Sequence, residues 1–336
     1  MNRRRFLQDA SLFSALTTLE FTPWSAVSAT ARELEEFVRG PAVKDHPLQK
    51  ISQHVWMIYS PDGFPTPENQ GMMCNITFVD TPRGLVVVDS GASVQIGEMA
   101  IRQLRKNFKK PVIAIINTHY HGDHWLGNQA YVEAYGKDLP RYAHPGTINA
   151  VQGVQGNMWR TLMEQWTNQA SLGTLVVPPN QPLEAGAELK FGDVTLRLHH
   201  FGTVHTPFDL CVEVVEDGVM LIGDVAMDRR IANMDDGSYL GTLKAYDALE
   251  KTGCRIWLPG HGKPGADVLK WNRELFEGIY RPCEQAIQNG LGLEQAKAEV
   301  LKDARVASRA KETKGFETNI GKYVSLAYLE AEAAGF

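Results

Sequence analysis

Within six positions, His119, His121, Asp123 and His124 set three imidazoles and a carboxylate side by side. They follow the apolar run Pro111-Val112-Ile113-Ala114-Ile115-Ile116 across a short Asn117-Thr118 link. Imidazole nitrogen and carboxylate oxygen are donors that zinc, iron and manganese all accept. A strand that ends by offering such donors from its terminal loop builds a site on a rigid support. The segment therefore implies a metalloprotein, and hydrolysis by metal-activated water is the chemistry it suits.

Three further donors repeat the arrangement. His205 follows Leu198-His199-His200-Phe201-Gly202, Asp224 ends Met220-Leu221-Ile222-Gly223, and His261 ends Trp257-Leu258-Pro259-Gly260. The seven donors exceed what one tetrahedral zinc takes, and suffice for two ions sharing a bridging carboxylate and a water. His46 and His54 fall outside the pattern, and His144, before Pro145, reads at most as support. His199 and His200 are strand neighbours whose side chains point to opposite faces, so neither is placed among the ligands.

The elements that position these donors are short and β-branched. Residues 55–59, 75–79 and 84–89 form one block of strands separated by Gly, Pro and Asp turns, and helical spacing at Met99, Ile101, Leu104 and Phe108 leads into the strand before His119. Tyr142-Ala143-His144 adds another edge. A second block covers 188–191, 194–198, 210–215, 219–222 and 255–258, with Gly192-Asp193 and Asp217-Gly218 as hairpin turns. Strand blocks interleaved with helices predict a two-sheet α/β sandwich.

Between the blocks, residues 150–171 read as an inserted helical segment with Trp159, Leu162, Met163 and Trp166 on one face. That face suits core packing first and an apolar substrate wall second; Trp125 and Phe208 are the other aromatic candidates for such a wall. After Pro264 the chain turns helical to its end, with Gly290-Leu291-Gly292 separating two helices.

In this order, Thr118-His119-Tyr120-His121-Gly122-Asp123-His124, His205-Thr206, Gly223-Asp224 and Gly260-His261-Gly262 resemble the metallo-β-lactamase superfamily, and Val88-Asp89-Ser90-Gly91 resembles its supporting strand-end motif. The resemblance spans roughly residues 50–265. It implies a four-layer αββα sandwich over 32–265, with residues 266–336 as a helical extension packed on it. It also implies His119, His121 and His205 on one metal, Asp123, His124 and His261 on a second, and Asp224 bridging them. Two Zn²⁺ ions are the implied cofactors, with iron or manganese as alternatives, and Asp123 would orient the attacking water. Val204 and Phe208 depart from the family's usual loop residues without removing a donor.

The bridging aspartate resembles the glyoxalase II type of site, which tilts the expected substrate from a lactam towards an ester or thioester. The segments 67–71, 124–128 and 319–332 resemble an exported branch linked to sulfur-oxidation and quinoprotein systems. The alternatives are a mononuclear iron enzyme resembling persulfide dioxygenases and a non-catalytic metal-binding protein.

Composition bounds these expectations. The chain has 336 residues, of which 43% are hydrophobic and 22% charged, as in globular proteins with a substantial core. Its net charge of −5, with no basic stripe, argues against nucleic acid as a partner and leaves a small molecule as the expected substrate. Asn2-Arg3-Arg4-Arg5-Phe6-Leu7 and the mildly apolar stretch after it read as a twin-arginine export signal over residues 1–31, implying the twin-arginine machinery as a partner and a periplasmic destination. No later stretch has the length of apolar sequence a membrane span needs. Cys74, Cys211, Cys254 and Cys283 are widely spaced and read as buried free thiols.

Overall fold

A computed structural model describes residues 38–61, 63–231 and 233–335. The export signal expected at residues 1–31 lies outside the described residues.

Seven strands pair in chain order to make the first sheet: β1 (Leu48–Lys50), β2 (Val55–Ile58), β3 (Ile76–Thr81), β4 (Gly84–Val88), β5 (Val112–Ile116), β6 (Arg141–Ala143) and β7 (Gln181–Pro182). Pairing is antiparallel from β1 to β4 and parallel from β4 to β7. The second sheet has the order β12-β11-β10-β9-β8, from β8 (Glu188–Phe191), β9 (Val194–His199), β10 (Cys211–Val214), β11 (Val219–Gly223) and β12 (Ile256–Pro259). Its β11 and β12 run parallel, and the other pairs run antiparallel. The predicted turns stand at Gly192 and Gly218, whose φ of 78° and 61° suit glycine.

The continuous apolar runs are explained by burial on both faces. In β4, Val86 and Val88 enter the core between the sheets, whereas Leu85 and Val87 face outwards into a helical layer. In β11, Val219 and Leu221 take the inner face and Met220 and Ile222 the outer one. The period of two thus supplies two apolar faces from one strand.

Helices α1 (Val94–Asn107), α2 (Gly122–Trp125) and α3 (Asn128–Tyr135) cover the first sheet, followed by α4 (Pro145–Gln152) and α5 (Val154–Trp166). Helix α1 starts where the Ser93 hydroxyl accepts from the Ile96 N–H, and Arg105 and Lys106 complement its C-terminal dipole. Across the second sheet lie α6 (Tyr239–Glu250), α7 (Val268–Gln288), α8 (Leu293–Lys302), α9 (Ala304–Arg309) and α10 (Phe316–Ala334). The result is the four-layer αββα arrangement with a helical C-terminal region. Among the described residues no helix is long and apolar enough to cross a membrane.

Two connections join segments far apart in the chain. Asp217, in the β10–β11 turn, receives the His54 N–H at 2.8 Å, lies 2.6 Å from His54 Nδ1 and also accepts from the Ser52 hydroxyl, tying the β1–β2 turn of one sheet to the other. Farther on, Arg230 and Lys314 form a parallel bridge in which the Lys314 N–H donates to the Arg229 carbonyl at 3.0 Å. That bridge brings the α9–α10 loop to the strand-end edge of the sandwich. The cysteines are free: Cys74, Cys211 and Cys283 are buried and Cys254 is half-buried.

Candidate metal centre

The site assembles where four strands stop. Val88 pairs with Ile116 at the parallel ends of β4 and β5, and the Asp89 N–H donates to the Ile116 carbonyl at 2.9 Å. Asp89, with φ of 57°, turns its carboxylate onto the next strand's loop and accepts from the Thr118 N–H at 2.8 Å and the Thr118 hydroxyl at 2.9 Å. His119 and His121 leave this braced loop, and the short α2 carries Asp123 and His124. On the second sheet, the Gly260 N–H donates to the Gly223 carbonyl at 2.7 Å, which holds the loop of Asp224 against that of His261. A Cβ on Gly260 would collide with Asp224 Oδ1 and the His124 ring, so glycine is what permits this approach. The His205 N–H donates to Asp209 Oδ2 at 2.9 Å, fixing the β9–β10 loop.

All seven residues singled out in the sequence converge. Asp224 Oδ2 lies 3.4 Å from His124 Nε2, 3.4 Å from His261 Nε2, 3.5 Å from His205 Nε2 and 3.8 Å from His119 Nε2. Around it, His119, His121 and His205 with Asp224 form one cluster whose ligand atoms lie within 4.8 Å of one another, and Asp123, His124 and His261 form a second. His121 Nδ1 and His205 Nε2 are 2.9 Å apart. Asp123 Oδ2 lies 3.1 Å from His261 Nε2 and 3.3 Å from His124 Nε2.

The outward ring nitrogens explain why the inward ones are free to ligate. His261 Nδ1 lies 2.8 Å from the Met73 carbonyl, which can only accept, so that nitrogen carries the proton and Nε2 keeps its lone pair. His124 Nδ1 is held likewise by Asp89 Oδ2 at 2.7 Å, and His119 Nδ1 lies 3.0 Å from the Thr118 hydroxyl. Inside, His119 Nε2, His124 Nε2 and Asp224 Oδ1 are buried without a hydrogen-bond partner. Orphaned inward donors, with the outer nitrogens of His119, His124 and His261 anchored and His205 Nδ1 itself buried without a partner, suit a metal cage, and two such groups around one carboxylate can hold a pair of divalent ions.

The electrostatics are mixed: burial opposes charge on His124 and His261, but the surrounding acidic groups outweigh it and raise the pKa of both rings. Burial drives the His119 and His205 rings towards the neutral, ligating form, His205 to a pKa of about 3, with neighbouring imidazoles adding to the effect. Burial also opposes charge on Asp123 and Asp224, but the surrounding histidines outweigh it and hold both carboxyls well below the usual range. Asp209 is pushed up to about 7 by burial, against the opposing N–H and hydroxyl bonds from Thr206 and the N–H of His205. Cys74 Sγ sits 3.5 Å from His124 Nδ1, yet burial raises its pKa to about 12 and keeps it a thiol.

The other histidines stay outside. His144 and His200 pack ring to ring at 4.5 Å, and His199 lies 2.8 Å from Glu213. A cleft of about 310 Å³ opens onto His121, Asp123, His205, Asp224 and His261. Its wall includes Trp159 and Trp166, both half-buried, so α5 gives an apolar side to the cleft as well as a contact with the core. Trp125, by contrast, is fully buried with Nε1 donating to the Tyr120 carbonyl, and Phe208 packs on Gly146 and His144 away from the cleft. Sequence reasoning missed Asn75, whose side-chain amide donates to the Pro259 and Gly262 carbonyls at 2.9 and 2.8 Å and clamps the His261 loop. It also missed Arg230, Lys314, Asn319, Lys322 and Tyr323, which reach the cleft mainly from the C-terminal helical region.

Known proteins share this fold. A metallo-β-lactamase type 2 of a Bacillus species is 23% identical over 275 residues, 79% of this chain and 95% of that one. A linear primary-alkylsulfatase of a Pseudomonas species is 41% identical over 54 residues, so the match spans 16% of this chain and only 10% of that relative's length. Among solved structures, a metallo-β-lactamase from Pontibacter korlensis aligns with a TM-score of 0.55 at 20% identity, over 68% of this chain and 98% of its own. A sec-alkyl sulfatase double mutant aligns with a TM-score of 0.65 at 18% identity, over 85% of this chain and 50% of its own. Residues 69–261, which carry all seven donors, match the metallo-beta-lactamase superfamily as a whole, and the chain belongs to that family.

Proposed function

We propose that the protein is a dinuclear zinc hydrolase of a small ester or thioester, with lactams ranking second within the same chemistry. The observation that carries this is Asp224 Oδ2, within 3.8 Å of imidazole nitrogens from both clusters and so suited to bridge two ions. When bound, such a pair supplies Lewis acidity and lowers the pKa of a shared water so that hydroxide is present at neutral pH. His119, His121 and His205 would hold one ion and Asp123, His124 and His261 the other. Asp123, kept ionised by His124 and His261, is placed both to ligate and to orient the water. The complete second cluster favours this reading over a mononuclear iron oxygenase.

A second reading, hydrolysis of an alkyl sulfate ester, is favoured by the local 41% identity to the alkylsulfatase. Export to the periplasm is part of the proposal on the strength of residues 1–31 alone. The test is metal analysis of the purified chain with a substrate panel of 4-nitrophenyl esters, lactoylglutathione, a chromogenic cephalosporin and hexyl sulfate. Two zinc ions per chain with ester or thioester turnover is the expected result. One iron per chain with oxygen uptake on glutathione persulfide would overturn it.

A further inference from the structure

The His205 ring has no anchor behind it. Its Nδ1 is buried with no hydrogen-bond partner, whereas the Thr118 hydroxyl stands at the outer nitrogen of His119. His205 is therefore aimed through its main chain. On one side the His205 and Thr206 N–H groups donate to Asp209 Oδ2 at 2.9 and 2.8 Å. On the other, the Val204 carbonyl accepts from the Ser238 N–H at 2.8 Å. Two glycines permit that approach: a Cβ on Gly237 would lie 2.6 Å from the Val204 carbonyl oxygen, and one on Gly241 1.9 Å from that of Thr203.

Ser238 is held in turn from 92 residues further along the chain. It is the N-cap of α6, its hydroxyl accepting from the Gly241 N–H at 2.9 Å. Glu330, on α10, completes this cap: its carboxylate accepts from the Ser238 hydroxyl and the Tyr239 N–H, each at 2.6 Å, and from the Leu240 N–H at 3.2 Å. The first amides of α6 are thereby matched, and a negative charge sits at the positive end of the helix dipole. The buried Tyr239 hydroxyl donates to the Tyr323 carbonyl at 2.9 Å and ties α6 to α10 a second time. The same stretch reaches the other loop of the cluster, because Tyr120, between His119 and His121, donates its hydroxyl to Asp236 Oδ2 at 2.8 Å. The second cluster is held differently: His124 has Asp89 behind it, and His261 the Met73 carbonyl.

We propose that Glu330 is a positioning residue for the first metal ion: from the C-terminal helix it fixes the start of α6, the start of α6 fixes Ser238, and Ser238 fixes the main chain from which His205 reaches the ion. The assignment of His205 to the first of two ions rests on the dinuclear reading above. The C-terminal helical region is thus part of the frame of one metal position and not of the other.

Chelator competition on the full-length protein reads the zinc affinities, and the cobalt-loaded forms of His205→Ala and His124→Ala give the visible spectra that mark loss of the first and of the second ion. Glu330→Ala is expected to weaken the first ion by about 5- to 10-fold, less than the roughly 10- to 100-fold of partners that touch a ligand, and to leave the second within about twofold of wild type. Glu330→Gln, which keeps an acceptor oxygen, should recover part of the loss. In a His205→Ala background, Glu330→Ala should alter metal affinity by less than about twofold, because its effect passes through that residue. A residue that only stabilised the fold would lower the urea midpoint without moving the affinity of the folded protein, so equal weakening of both ions, or of neither, overturns the brace. Hydrogen exchange of the metal-free protein reads the brace with no ion bound. There Glu330→Ala is expected to speed exchange at residues 203–206 and 238–241 by about fivefold or more while leaving β4 unchanged. Unchanged exchange at 203–206 overturns the brace. A wild type that holds one ion would fail the dinuclear reading, and the exchange result would still decide the brace.

Discussion

Asp89 grips His124 from behind: its Oδ2 lies 2.7 Å from the ring's Nδ1 while His124 Nε2 points at Asp123 and Asp224, 3.3 and 3.4 Å away. The same carboxylate braces Thr118, one residue before the first histidine, so one side chain orients donors of both clusters.

Replacing Asp89 with Asn retains a residue that tolerates the left-handed backbone but removes the acceptor charge that fixes the His124 tautomer. The expected outcome is about 10- to 100-fold weaker binding of the second metal, with the first retained. Chelator competition with metal counting would read this, and two ions held with wild-type affinity would remove Asp89 from its orienting role.

His121→Ala and Asp224→Ala are expected to lose metal and hydrolysis together, each by at least about 100-fold, because each deletes a donor and not an outer partner. Atomic absorption and ester turnover on the same samples make the comparison. A variant that is metal-free yet fully active would refute the ligand assignment.

Asp217 gives a pH-dependent stability prediction away from the site. Burial works against its charge, but the Ser52 hydroxyl, the His54 N–H and the His54 ring outweigh it and hold the carboxyl below its ordinary 3.8. A folded pKa below the unfolded one means stability present above the unfolded value and lost as pH falls through the folded one. Asp217→Asn should therefore cost about 1–3 kcal/mol at pH 7, and its gap from the wild type should close below about pH 4. Urea unfolding at pH 7 and pH 3 would measure both; an equal gap at the two values would show that the carboxylate's charge is immaterial.

Thiol chemistry should follow burial. Desolvation raises the pKa of Cys74, Cys211, Cys254 and Cys283 alike, so the native protein should react slowly with Ellman's reagent, the half-buried Cys254 first. In denaturant without reductant, all four thiols should titrate. Fewer than that would reveal a disulfide.

The metal-facing half of the molecule was legible because its signals are local. Strands such as β4 and β11 announce themselves by unbroken apolar runs, and Asp89, Asp224 and His261 stand directly at strand ends, where period and motif coincide. Asn75, Arg230 and Lys314 carry no such signature. Asn75 acts on a loop almost two hundred residues away, with separations of 184 and 187, and Lys314 reaches the cleft through a bridge that joins two irregular segments. Trp159 and Trp125 show the same limit: both are aromatic residues near the motif, and tertiary packing alone put one at the cleft and the other in the core.

The bridge between Arg230 and Lys314 also bears on how such a protein can change over generations. The bond-breaking floor is written into strand ends, whereas Lys314, Asn319, Lys322 and Tyr323, which help frame the opening, belong to the tail of the chain. Drift at those positions can retune which molecules are admitted while leaving the reactive floor intact, so descendants sharing the same histidine and aspartate pattern are free to diverge in diet without relearning the reaction.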